Sequence, residues 1–238
     1  MNLCALAAMP EGEYESFKEK IHMSPLKIEV FNLLLPPSGE IKIVGGGVDI
    51  EQQNDYLKYS FKRAHEMGAE LMVFGSARAR AVPEGCEPGE ARKQLVEFMR
   101  RMMGYADLYN IVMVVEPVCG KESSGNPIKT IPQAIELAKE VDRPNLFALC
   151  DFYHMYMEGE PMEDIVKAGE WIRHAHISAV DAGRSYPAPD DGFDYSPFFD
   201  ALKAIGYTGR LSLESFGRDV DAGTKASLPL LEMYRNLI

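Results

Sequence analysis

WIRHAHISA (171–179) and GRLSLESF (209–216), with NIVMVVEPV (110–118) and NLFALCDFY (145–153) before them, are the runs on which the fold turns. Each is a short apolar, β-rich stretch whose C-terminal end carries a charged or metal-competent residue: His176, Glu214, Glu116 and Asp151. Two further runs, KIEVFNLLL (27–35) and ELMVFGS (70–76), share the apolar character without the polar end. Helical patterns fill 51–68, 91–110, 130–141, 163–170, 196–207 and 224–238. Nearly continuous apolar strands alternating with helices predict a parallel sheet covered by helices. The four polar residues are separated by 35, 25 and 38 positions, which brackets the roughly 30 residues of one βα unit in an eight-fold barrel. An open sheet gathers ligands at one switch point. A closed barrel brings the ends of four successive strands around one point, and the sequence is read as a TIM (β/α)8-type barrel of the α/β class.

Several helices carry their own punctuation. Ser196 before Pro197 reads as an N-cap with proline at the first helical position, and Gly206 and Gly68 stand where glycine ends a helix. Six strands are clear, and LCALA (3–7) reads as the stump of a seventh. A complete barrel takes about 250 residues, so the first βα unit is expected to be lacking, leaving a gap or an edge that needs cover. A homo-oligomer or a partner chain is one way to cover it. With no composition break, Ser/Gly linker or low-complexity tract, residues 1–238 are expected to form a single domain.

The formal charge of −11 argues against a nucleic-acid or anionic-membrane partner. The one basic cluster, RKQLVEFMRR (92–101), lies on an amphipathic helical pattern and reads as a solvated face. The apolar runs are too short to span a bilayer, and the start lacks the basic region of a signal peptide. Four cysteines without paired spacing suggest reduced thiols and a cytoplasmic setting. The expected partner is a small molecule.

Three carboxylates with one imidazole make a hard, oxygen-rich donor set, suited to a single divalent ion, Mn²⁺ first, with Mg²⁺, Co²⁺ or Zn²⁺ as alternatives. Gathering the carboxylates without a cation costs heavily, because each loses water and repels the others. His174 and His176 are two apart and share a strand face, leaving Ala175 and Ile177 toward the helices. His176, nearer the strand end, is the better ligand; His174 lies one layer deeper. His154 reads equally as a substrate contact or as a partner of the loop backbone. His22 and His65 fall in helical patterns and are expected at the surface. Arg78, Arg80, Arg184 and Lys121 are candidates for substrate contacts, and each arginine reads equally as a surface salt bridge.

The series EPV (116–118), CDFYHM (150–155), HAHIS (174–178) and LSLES (211–215), with DGFDYSPFFDALKAIGYTGRLSLE (191–214), resembles the xylose isomerase-like TIM-barrel superfamily of sugar phosphate isomerases and epimerases, with the ketose 3-epimerases nearest. The resemblance runs from about residue 27 to the C-terminus and is most specific in the second half. It implies Glu116, Asp151, His176 and Glu214 as metal ligands, Glu116 and Glu214 as the catalytic acid/base pair, and His154, Glu122 and Arg184 as substrate contacts. The implied activity is a metal-dependent sugar isomerase or epimerase that removes a proton α to a carbonyl through a metal-stabilised enediolate. A lyase or dehydratase acting on a keto-sugar, inosose or 3-keto-glycoside through the same site is the alternative, and a degenerate sugar-binding barrel the non-enzymatic one. Two departures bear on the substrate. PVCGKE (117–122) replaces the Asn-Arg pair of ketose epimerases, and two extra residues precede Arg184. FGSARARAVPEG (74–85), with Arg78 and Arg80, resembles another subset of the superfamily.

Overall fold

The computed structural model describes residues 1–235. Six parallel strands run in the order β1 (Val30–Phe31), β2 (Leu71–Phe74), β3 (Val112–Val115), β4 (Leu146–Asp151), β5 (Ile172–Ile177) and β6 (Leu211–Leu213). They curl into part of a TIM barrel. Around them lie α1 (Leu3–Ala8), α2 (Glu11–His22), α3 (Ile50–Glu66), α4 (Pro88–Tyr109), α5 (Ile131–Val141), α6 (Phe152–Glu158), α7 (Glu163–Ala168), α8 (Ser196–Ala204) and α9 (Val220–Arg235).

Strand parity positions the site. Phe31, Met72, Phe74, Met113, Val115, Ala148 and Cys150 join the large core beneath the helices, while Val73, Val114 and Leu149 form a separate small cluster on the opposite face. Side chains two apart share a face, so Val114 leads to Glu116 and Leu149 to Asp151. On β5 the alternation needs help. Ile172, Ala175 and Ile177 all belong to the helix-facing core, which regular alternation from Ile172 to Ala175 forbids. A register shift lets Ala148 pair with Ile172 and Leu149 with His174, with Arg173 as the extra residue of a bulge. The bulge turns His174 and His176 onto the face that carries Leu149 and Asp151.

The first residues correct one expectation. LCALA is not a strand: it lies in α1, whose Asn2 cap accepts the Ala5 N–H at 3.0 Å, and Leu3 and Leu6 are buried at helical spacing. The strand tip comes earlier. Asn32 donates its N–H to the Met1 carbonyl at 2.8 Å, Leu3 donates to the Asn32 carbonyl at 2.9 Å, and Asn2 bridges Asn32 in parallel. β1 is shorter than the 27–35 run because Leu33 takes a positive φ of 57° and two prolines follow. β1 and β6 are not hydrogen-bonded neighbours. Across the gap between them Arg210 pairs with Glu29.

The helix signals fare well. Gly68 and Gly206 have φ of 95° and 62°. Pro197 opens α8, but the Ser196 hydroxyl faces that of Tyr234 at 3.0 Å instead of capping the helix. α9 begins earlier than position 224, and the last three positions of that pattern lie outside the described residues. His22 and His65 are exposed. No described helix is long and apolar enough to cross a membrane.

Glu160, in the turn between α6 and α7, accepts the Ile131 N–H at the start of α5 at 2.7 Å, and its second oxygen is buried without a partner. Burial pushes this carboxyl up to about 7 from its ordinary 4.5. A carboxyl raised in the folded state contributes stability below its unfolded value and loses it as pH climbs to the folded value. The melting temperature should therefore contain a component that falls between about pH 4.5 and 7. Subtracting the Glu160→Gln melting profile from the wild-type profile isolates it; parallel profiles would refute the assignment.

Candidate metal and sugar site

Glu116 follows β3, Asp151 ends β4, His176 lies near the end of β5 and Glu214 follows β6, so four consecutive strands deliver their terminal polar residues to one mouth. Glu116, Asp151, His154 and Glu214 each offer a ligand atom, all within 4.8 Å of one another. The His176 Nδ1 lies among the same carboxylates, 3.1 Å from Glu116 Oε1, 3.2 Å from Glu214 Oε2 and 3.6 Å from Asp151 Oδ2. Two imidazoles thus face the cluster. The His154 Nε2 is 4.0 Å from Glu116 Oε1 and from Asp151 Oδ2. On its other side the Nδ1 meets the Cys119 N–H and Sγ, each at 3.4 Å.

Arg184 brings the cluster a third positive group. Its Nη2 donates to Asp151 Oδ2 at 2.9 Å and to Glu214 Oε2 at 2.7 Å, and its guanidinium lies over the rings of Tyr153 and Phe216. The loop that carries it is shaped by Asp181, which accepts the N–H groups of Gly183 and Ser185, and Arg184 itself has a φ of 47°. Glu122 stands outside, 3.6 Å from the Arg184 Nη1.

The electrostatics follow from burial and these neighbours. Burial, then the charge of Glu214, pushes Glu116 up. Burial also works against the charge of Asp151, but His154, His176 and Arg184 outweigh it and hold that carboxyl well below its usual range. Glu214 is likewise held down, against burial, chiefly by His176. Burial opposes charge on His154 too, yet Asp151 and its other neighbours raise it to about 9. His174 is different. Burial and the neighbouring His176 push it down to about 3, and its Nε2 pairs with the Ser212 hydroxyl at 2.9 Å. It is a neutral core histidine one layer below the mouth.

A cavity of about 320 Å³ opens over the cluster, lined among others by Asn32, Arg78, Glu116, Glu122, His154 and Glu214. Arg78 is exposed at its edge, with one long hydrogen bond to the Pro37 carbonyl. Lys121 is exposed and does not line it. Arg80 does not line it either: it is fully buried behind β2 and β3. Two contributors lay outside the residues singled out from sequence. The Asn32 amide donates to Glu214 Oε1 across the gap between β1 and β6. Gly75 leaves room for Glu116, whose Oε2 occupies the place a β-carbon would take. The glycine is visible in FGS, but only the fold shows what lies over it.

The family model described as xylose isomerase-like TIM barrel matches residues 3–236. The chain belongs to that family. It is 33% identical over 132 residues to an L-ribulose 3-epimerase of Methylomonas sp., covering 55% of this chain and 44% of the relative. A ketose 3-epimerase of Arthrobacter globiformis is 35% identical over 113 residues, covering 47% and 37%. The matched stretch therefore spans less than half the length of either relative. The structure of D-psicose 3-epimerase from Clostridium cellulolyticum H10 superposes with a TM-score of 0.81 at 16% identity, covering all of this chain and 87% of that one. Relatives described as isomerases and as a dehydratase also match.

A β-carbon at position 75 must displace the Glu116 carboxylate. Gly75→Ala should lower stability by about 1–3 kcal/mol, the usual cost of overpacking a filled site. Chemical denaturation measures it, and a change within about 0.3 kcal/mol would show that the carboxylate does not rest there.

Proposed function

We propose that this chain is a divalent-metal-dependent sugar isomerase or epimerase that moves a proton on the carbon next to a carbonyl. The observation that carries this reading is the meeting of three carboxylates and two imidazoles beneath a cavity of about 320 Å³. The donor set fits a hard cation: ligand atoms of Glu116, Asp151, His154 and Glu214 lie within 4.8 Å of one another, and the His176 Nδ1 lies 3.1–3.6 Å from the same three carboxylates. Glu116, Asp151, His176 and Glu214 would hold the ion, with the His154 Nε2 close enough to compete for a position. When bound, a divalent ion supplies Lewis acidity toward a carbonyl oxygen.

The chain's own residues do the proton work. Glu116 and Glu214 reach the mouth from β3 and β6, three strands apart, so they meet a sugar between them from two directions. One takes the proton from the carbon next to the carbonyl and the other returns one, with inversion when the faces differ. His154, held through Cys119, would bind a sugar hydroxyl, with Glu122, Arg78 and Arg184 binding around it. L-Ribulose and other ketoses are the substrates to test first, by analogy with the named epimerases.

Incubation with Mn²⁺ and these ketoses in deuterated water should place deuterium at the carbon next to the carbonyl. Glu116→Gln and Glu214→Gln should each slow that exchange by about 10²–10⁴-fold, the range for loss of an acid or base. Near-normal exchange in either variant rules out the two-glutamate scheme. The dehydratase relative supports a second outcome, elimination from the same site. Loss of water from the product would assign that reaction.

Arg184 makes a separate prediction. Its guanidinium draws on Asp151 Oδ2 and Glu214 Oε2, carboxylates that would also hold a bound cation. Arg184→Met should bind Mn²⁺ about tenfold more tightly, a modest share of two charge-assisted hydrogen bonds, and raise KM for the ketose. Calorimetric titration with Mn²⁺ measures the first effect. Unchanged or weaker binding would show that the ion does not compete with this arginine.

A further inference from the structure

Arg80 is a buried charge that the chemistry above leaves without a task. It is 0% exposed, and the charge that acts on it is that of Glu116. Burial works against its charge, and the charge of Glu116 favours it only in part, so its hydrogen bonds show what it is for. Nη1 donates to the Phe74 carbonyl at 3.1 Å, Nη2 to the Glu116 carbonyl at 2.7 Å, and Nε to the Asn126 Oδ1 at 2.9 Å. The guanidinium therefore ties the end of β2, the end of β3 and the following loop together.

Two of the ties meet at Glu116, and the third reaches the chain just after it. The Glu116 N–H donates to the same Phe74 carbonyl, at 3.1 Å. Asn126 extends the brace by donating its amide to the carbonyls of Val118 and Ile128, each at 2.7 Å. Glu116 is thus held at its own N–H and carbonyl and again two residues later. Its carboxylate then has one direction left, over Gly75 and into the mouth. A planar guanidinium with five donors in a fixed fork can serve three acceptors at once; a lysine ammonium at the end of a flexible stem cannot hold the same geometry.

We propose that Arg80 is a positioning residue for Glu116, fixing through the backbone where its carboxylate stands. The proposal rests on the reading of Glu116 as a ligand and proton-transfer group, and the experiment separates the two. Mn²⁺ affinity is measured by calorimetry for wild type, Arg80→Lys, Arg80→Met, Asn126→Ala, Glu116→Gln and the double variant Arg80→Lys/Glu116→Gln. Exchange of L-ribulose in deuterated water gives kcat and KM where turnover is measurable. Melting curves report folding.

In folded Arg80→Lys, Mn²⁺ affinity should drop about tenfold, as when a group that orients a metal ligand is altered. The loss in kcat should exceed any change in KM. Arg80→Met should lose more and Asn126→Ala less. Once Glu116→Gln is present, Arg80→Lys should change Mn²⁺ affinity by about twofold at most, because the two act through one carboxylate. A purely structural arginine would give the same loss in both backgrounds. Equal losses, unchanged affinity in Arg80→Lys, or failure of all three brace variants to fold would each overturn the proposal. If Glu116→Gln itself binds Mn²⁺ like wild type, the reading of Glu116 fails instead.

Discussion

Three carboxylates that share one water-poor mouth are the constraint around which the rest of the molecule is organised. Glu116 and Asp151 are buried and Glu214 nearly so. Their mutual repulsion grows as water is excluded. Three positive or protonatable groups are drawn in: two imidazoles and the guanidinium of Arg184. Arg184 gives up solvent and adopts a left-handed backbone to get there. A scaffold without use for clustered acids would carry apolar residues at these positions, as it does at Val73, Val114 and Leu149 one layer down.

The scaffold's means are geometric. Parallel strands all end at the same side, and two-residue parity sends alternate side chains inward. Glu116 and Asp151 inherit their direction from Val114 and Leu149. Only β5 needs the Arg173 bulge. Without that extra residue the face that buries Ile172 would also receive His174, and both histidines would leave the mouth. Bulges recur beside active sites for this reason.

Much of this was legible in the sequence. The apolar runs gave the strands, their polar C-terminal ends gave the cluster, and the two-residue spacing of His174 and His176 gave their shared side. What escaped reading is instructive. LCALA has the composition of a short strand, yet Asn2 caps it as a helix; five residues cannot distinguish the periods. Asn32 sits in an apolar run, and its role depends on Glu214, 182 positions away. The bulge at Arg173 leaves no mark in local composition. Arg80 looked like a neighbour of Arg78, two residues apart in one loop, but one faces the cavity and the other is sealed beneath it. For Asn32, the bulge and Arg80 the deciding partner is distant in sequence.

The two glutamates also differ in how firmly they are held, and the difference follows from topology. Glu116 leaves β3, which is hydrogen-bonded to neighbours on both sides, and its backbone is clamped by Phe74 and Arg80. Glu214 leaves β6, an edge strand of only half-buried residues, and its side chain is 20% exposed. The Asn32 amide reaches it across the gap where β6 and β1 fail to pair. That bond is therefore both a contact of the site and a closure of the barrel. Anything that widens the gap loosens one acid of the pair and leaves the other in place. An interaction that covers the edge would bear on Glu214 through Asn32.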